Sequence, residues 1–170
     1  GDEKILMISR SGSSRIVQPE ITLHFDDGVT HIEKWIPSKP ISAIYFSSNK
    51  KRYFLKRFLI ENQSKEDFFI EKDDKLIHVD LNWRPILMLK FEKNKGKSAF
   101  PDFEINVEEF ISIKGYKAQG NQLTSKKIKK VELKEVLPYV DSVEKNINEI
   151  EVLNEEHISS ESESQIKMDI

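Results

Sequence analysis

Short apolar runs recur along this chain roughly every 8 to 15 residues, each closed by glycine, proline, asparagine or serine, and that rhythm constrains the fold most. Strands of four to eight residues fit such spacing, whereas helices need longer uninterrupted periods. Ile5 to Ile8 is a compact run; Ser11-Gly12-Ser13-Ser14 turns the chain, and Arg15 to Val17 returns it before Pro19. Ile21, Leu23 and Phe25 alternate with polar residues, Asp26-Asp27-Gly28 reads as a hairpin turn, and Ile32 to Ile36 follows. Pro37 and Pro40 remove backbone donors and end that strand. Ile41 to Phe46 and Arg52 to Ile60 predict a hairpin. The second run is apolar on both sides of the pleat, with Lys56 and Arg57 in its middle, so its aromatic content decides for strand. Phe68 to Ile70, Leu76 to Leu81 and Pro85 to Phe91 continue the pattern. Ile86-Leu87-Met88-Leu89, apolar at every position, is expected on a central strand. Phe103, Ile105 and Val107 alternate, turns sit at Lys114-Gly115 and Gly120-Asn121, and Ile128 to Leu133 closes the series. The expectation is an all-β array of about three propeller-type units, near 4–38, 41–92 and 95–134.

Beyond Leu137-Pro138 the composition changes. Val140, Val143, Ile147 and Ile150 follow helical spacing, predicting a short amphipathic helix over 138–154 after a β domain at 1–137. Residues 155–170 have too little apolar content to order themselves and are expected to be a mobile acidic tail. Residues 141–170 carry nine acids against two lysines, a net of −7, which leaves 25 bases against 20 acids, +5, in the first 140. A basic body suggests a polyanionic partner, and the acidic end a competitor for the same surface. Cysteine is absent, which excludes disulfides and thiolate chemistry and fits a cytoplasmic home. No apolar run approaches the ~18 to 20 residues of a membrane span, so no membrane partner is expected.

Catalytic motifs are missing. No phosphate-binding Gly-x-x-x-x-Gly-Lys loop and no Gly-x-Ser-x-Gly elbow is present. His24, Asp26, Asp27 and His31 alone resemble a metal-ligand set, and an Asp-Gly hairpin flanked by strand histidines accounts for them without metal. A hydrolase using His24 and Asp26 predicts bound metal. The basic residues carry more. Lys50, Lys51, Arg52, Lys56, Arg57, Lys95, Lys97, Lys114, Lys117, Lys126, Lys127, Lys129 and Lys130 fall on turns and strand ends of successive units, with Arg15 as a further candidate. For each cluster alone a solvated edge is the plainer reading. Stacked units, however, would set equivalent turns on one rim and make a track for phosphates. Contacts would go to the backbone, with sequence entering only through bendability. Tyr53 and Tyr116, beside lysines, are expected to pack in the interior more than to stack on bases.

The segment Lys114-Gly115-Tyr116-Lys117-Ala118-Gln119-Gly120-Asn121-Gln122-Leu123-Thr124, with Ile128 to Leu133, resembles the last blade of the A subunit of bacterial type IIA topoisomerases. The type is that of topoisomerase IV or gyrase from Bacteroidetes-like bacteria. Tyr53-Phe54-Leu55-Lys56-Arg57-Phe58 is similar to that family's Lys-Arg-Phe strand, and the likeness spans roughly residues 4–134. The resemblance implies a partial β-pinwheel, a propeller-like fold whose blades exchange strands and whose basic outer edge binds and bends duplex DNA for strand passage. It implies no catalysis in this domain, since none of Tyr45, Tyr53, Tyr116 or Tyr139 matches the active-site motif. It also implies no cofactor here. The breakage-reunion region of the same subunit and the ATPase B subunit would be partners, and ATP and Mg would act elsewhere in the holoenzyme. A Gln-Arg-Arg-Gly-Gly-type wrapping box has no counterpart, which favours decatenation and relaxation over supercoiling. A protein-interaction scaffold, with lysines that only solubilise, is the alternative.

If the acidic end competes with DNA, residues 1–140 should bind duplex more tightly than 1–170 at low salt. Equal affinities in a titration would make the tail a bystander.

Overall fold

The computed structural model describes residues 2–20, 24–140 and 153–155. The chain divides into two compact units, Gly1–Leu137 and Pro138–Ile170. Of the second, only 138–140 and the helical residues 153–155 are described. The helix expected over 138–154 and the acidic tail therefore lie almost wholly outside the described residues. The strand expected from Ile21 to Phe25 begins outside them too, and His24 and Phe25 belong to no strand.

The first unit is built from three antiparallel sheets, as an all-β pinwheel-like fold requires. β1 (Ile5–Ser9) and β2 (Ser13–Val17) form a hairpin, and β3 (Val29–Lys34) pairs with the other side of β1. β4 (Ile41–Ser47) pairs in continuous register with β5 (Arg52–Phe58), from Ile41 opposite Phe58 to Ser47 opposite Arg52. The chain then leaves this sheet. β6 (Asp67–Phe68) pairs with β2 of the first sheet before β7 (Lys75–Asp80) returns to β4. The third unit repeats the excursion. β8 (Pro85–Phe91) pairs with β9 (Phe103–Asn106), and one helical turn, α1 (Val107–Phe110), follows. β10 (Asn121–Thr124) crosses to β5, and β11 (Ile128–Val136) comes back to β8. Each exchanged strand thus lies between the second and third strands of its own unit and bonds to the second strand of the unit before.

Two expectations change in detail. The run Phe68 to Ile70 is a strand only at Asp67–Phe68, and it serves the neighbouring sheet, which is why the middle unit looks irregular in sequence. The alternation through Val107 stops at Asn106, whose side chain accepts the Glu109 N–H and caps α1. β8 is central in its sheet, but only Pro85, Leu87, Leu89 and Phe91 are buried, so one face is core and the other is not.

Burial explains the run that lacked a period. One core joins Leu6, Ile8 and Ile16 of the first sheet to Ile41, Ala43, Tyr45, Phe54 and Phe58 of the second. A second core joins Ile44, Tyr53 and Leu55 to Leu87, Leu89, Ile105 and Val107 of the third. The second sheet is therefore apolar on both faces, and its strands cannot show the alternation of a half-exposed sheet.

Gly120 seats the second exchange. Its φ is +87°, and a Cβ there would lie 2.3 Å from the Leu55 carbonyl oxygen and 2.8 Å from Lys56 Cβ. Only glycine lets β10 approach β5 this closely. Gly120→Ala should cost on the order of 3 kcal/mol, combining left-handed strain with overpacking against backbone. Denaturant unfolding measures it, and a loss below about 1 kcal/mol would mean that β10 is not seated on β5 as described.

Candidate nucleic-acid interface

Three turns meet at one end of the second and third sheets. The first joins β4 to β5: Ser47 accepts the Lys51 N–H on its carbonyl (2.9 Å) and the Lys50 N–H on its hydroxyl (3.2 Å), closing a four-residue loop. Lys51 takes a left-handed φ of 54°, the only non-glycine among the described residues to do so. The second turn links β10 to β11. Thr124 pairs with Tyr53, just past the first turn, and the Ile128 N–H reaches the Tyr53 hydroxyl at 3.3 Å. The third is the β8–β9 connection, tied to the second because Glu92 N–H donates to the Lys127 carbonyl at 2.9 Å. These pairings and hydrogen bonds bring the turn of Lys50, Lys51 and Arg52 beside that of Lys126 and Lys127, and the latter beside the start of the loop that carries Lys93, Lys95 and Lys97.

The side chains on this edge are exposed, apart from partly covered Arg52. Lys126 lies over the Phe100 ring at 4.4 Å, and Lys127 pairs with Glu92 at 3.3 Å. Lys50 reaches the Gln119 side-chain oxygen at 3.0 Å, and the Arg52 Nε donates to the Lys50 carbonyl at 3.3 Å. Among the described residues no acid pairs with Lys50, Lys51, Arg52, Lys93, Lys95, Lys97, Lys126 or Lys129. Lys129 adjoins this end, in the bulge where β11 shifts register between Ile128 and Lys130. Lys93 belongs to the edge although only its loop neighbours Lys95 and Lys97 are candidates by sequence; the alternation of lysine with Asn94 and Gly96 in Lys93-Asn94-Lys95-Gly96-Lys97 is the available signal.

The remaining candidates lie elsewhere. Lys56 is 2% exposed and cannot meet a phosphate. Its ammonium donates to the Phe69 carbonyl and, at 2.8 Å, to the Tyr116 carbonyl, and it lies 5.0 Å from the Phe58 ring centre. Burial pulls it down to about 8, with the Lys117 charge adding to the fall and Asp74 and Glu71 opposing it. Arg57, 8% exposed, points to the opposite face of the second sheet, where it meets the Trp83 carbonyl at 3.5 Å. Burial lowers it as well. Both are buried within β5, in a sheet covered on two sides, which excludes them from an outer track.

Lys114 lies at the far end of β5: its N–H bonds the Arg57 carbonyl and it bridges Phe58. Six residues of strand, about 20 Å, separate that point from Arg52. Lys117 is committed to Asp67 at 2.7 Å and to the Phe68 carbonyl at 2.6 Å, and its hydrogen bond holds the Asp67 carboxyl below the usual range. Lys130 is on the outer face of the third sheet, paired with Glu132 at 2.7 Å. Arg15 is on the first sheet's face away from the core, alongside Met7. Tyr53 and Tyr116 are interior groups: the Tyr116 hydroxyl donates to the Asp67 carbonyl and contacts Ser14, both at 2.8 Å. Among the described residues no three His, Asp or Glu converge as metal ligands, and no helix is long and apolar enough to cross a membrane.

A family model described as the topoisomerase C-terminal domain of Bacteroidota matches residues 1–135. The chain belongs to that family. The match runs over all three sheets, so the likeness seen at 53–58 and 114–124 extends to the whole β unit of this topoisomerase C-terminal domain. No curated protein and no solved structure matches the chain.

The buried ammonium of this domain has a pH signature. Between about 8 and the ordinary lysine value of 10.5, the unfolded chain holds a proton at Lys56 that the folded chain has lost. Stability from this group therefore rises with pH through that window, by up to about 3 kcal/mol. Lys56→Met should remove that rise, so the stability gap between wild type and variant should shift in favour of wild type from pH 8 to 10.5. A gap that stays constant in denaturant melts would show that the ammonium is not desolvated.

Proposed function

We propose that this topoisomerase C-terminal domain binds duplex DNA without sequence preference and bends it, on the edge formed by the turns at 47–52, 92–97 and 124–128. The domain does no chemistry itself. As part of the A subunit of a type IIA enzyme, it presents a DNA segment to the breakage-reunion region of the same subunit, while the ATPase B subunit supplies ATP-driven gating. The missing wrapping box supports decatenation and relaxation, as in topoisomerase IV, over supercoiling.

One observation carries the reading: cations from three separate turns gather at one end of two stacked sheets, and of these lysines and Arg52 only Lys127 is paired with an acid, although Asp74 binds the backbone of the first turn at Ser48. Surface cations are ordinarily offset by nearby acids, as on the outer face of the third sheet. Lys51 strengthens the point. Left-handed backbone costs a lysine about 1 kcal/mol or more, where glycine would sit without strain. A cation kept at a position that disfavours it is consistent with use of its charge. Among the described residues of the first unit the one helix is the single turn α1, too short to read bases, so phosphates are the target and counterion release the driving force.

Lys51→Gly separates fold from function. It should leave stability unchanged or slightly raised, yet flatten the slope of log affinity against log salt by about 0.9. Reversing Lys126 and Lys127 to glutamate should flatten it by about 1.8. Gel shifts with random duplex across salt concentrations read both, and slopes that stay at the wild-type value would remove this edge from DNA binding.

A further inference from the structure

We propose that the loop Glu71-Lys72-Asp73-Asp74 ends the DNA path, so that duplex held at the second and third sheets is turned away from the first. The inference rests on the DNA-binding reading and adds the direction in which the duplex leaves.

Strand exchange makes two equivalent junctions. At each, the first hairpin turn of one unit stands beside the loop that follows the strand received from the next. At the junction of the second and third sheets, the turn carries Lys50, Lys51 and Arg52, and the loop after β10 carries Lys126 and Lys127, together +5. At the junction of the first and second, the turn carries Arg10. The loop after β6 carries Glu71, Lys72, Asp73 and Asp74, which makes −1 in all. The places correspond and the charges are opposite.

The acidic loop is fixed in position. The Phe69 N–H donates to the Gly12 carbonyl at 2.9 Å, anchoring the loop's approach to the β1–β2 turn. The Asp74 carboxylate accepts the Ser48 N–H at 3.0 Å and the Glu71 N–H at 3.2 Å, which ties the loop to the very turn that bears Lys50 and Lys51. Its field is felt nearby: the Tyr45 phenol is pushed up to about 12, by burial first and then by Asp74 and Glu71. Glu71 and Asp73 themselves are exposed.

Distance decides whether this matters. Packed sheets lie about 10 Å apart, close to one Debye length at 0.1 M salt. Charges at that spacing are only partly screened from one another, and the Asp74 carboxylate sits closer still, against Ser48, so a phosphate leaving the lysine turn toward the first sheet meets net negative charge. The consequence is a short contact at one junction in place of a wrap around all three units.

The test uses the 170-residue chain, a random duplex of about 40 base pairs, salt-dependent binding and hydroxyl-radical footprinting. Glu71→Lys with Asp73→Lys, which spares the turn-locking Asp74, should steepen the salt slope by about 1.8 and lengthen the protected stretch by about 3 base pairs. Glu20→Lys with Glu61→Lys adds the same charge at exposed positions off the loop and should leave the footprint unchanged. An unmoved slope and footprint in the first variant, or equal gains in the second, overturn the path limit while the DNA reading stands. A wild-type chain that fails to bind duplex at low salt overturns both.

Discussion

A single buried lysine amine links the strands exchanged between the three sheets. Lys56 stands in the middle of the second sheet and donates to Phe69, just past the strand sent to the first sheet, and to Tyr116, on the approach to the strand received from the third unit. Both crossings leave carbonyls in an interior where no strand partner is available. An unmet buried carbonyl costs roughly 1 to 3 kcal/mol, and one charged donor serves two of them. The Phe58 and Phe69 rings face the same ammonium at 5.0 and 5.8 Å and offset part of its desolvation. Tyr116 extends the link to the first sheet through Ser14 and Asp67.

From this follows where charge is allowed. Because the second sheet is packed on both faces, its strands have almost no solvent-facing positions, and any cation that is to meet a ligand must sit at a strand end. The turns at one end are drawn together by the same exchange, since β10 places its following loop beside the hairpin of the sheet it joins. Clustering of cations from distant parts of the sequence is thus a product of topology, and the apolar cores and the basic edge have one cause.

The strands and turns are legible because their signals are local: short apolar runs, and turn residues such as Gly12, Gly28 and Gly120. The exchange was not, since two residues of pairing at Asp67–Phe68 carry no sequence signal of their partner. The same limit explains Lys56 and Arg57. A charged pair in a sequence reads as surface, and only the knowledge that both faces of that strand are covered turns it into interior. Lys114 and Lys117 misled for another reason. They are close in sequence to the basic turn at 126–127, but the chain between them crosses a sheet, so proximity along the chain did not survive folding. The sign of 71–74 was readable residue by residue. The loop's place beside the first hairpin turn, matching that of 125–127 at the other junction, shows only in the strand pairing.

The outer face of the third sheet shows how this domain handles charge it does not present to a ligand. Lys90 lies between Glu132 at 3.6 Å and Asp102 at 3.9 Å, Lys130 pairs with the same Glu132, and Lys134 reaches across to Glu104. The Lys130 hydrogen bond lowers the Glu132 carboxyl below its usual range. Exposed pairs of this kind add little stability. They do set a boundary, because packing another sheet on this face would strip water from several ions at a cost of several kcal/mol each. They also leave the face near neutrality, so it offers a polyanion no gain over solvent. Positive potential is then concentrated at the turns at the sheet ends, where Lys127 alone is paired with an acid, and the face itself contributes almost none.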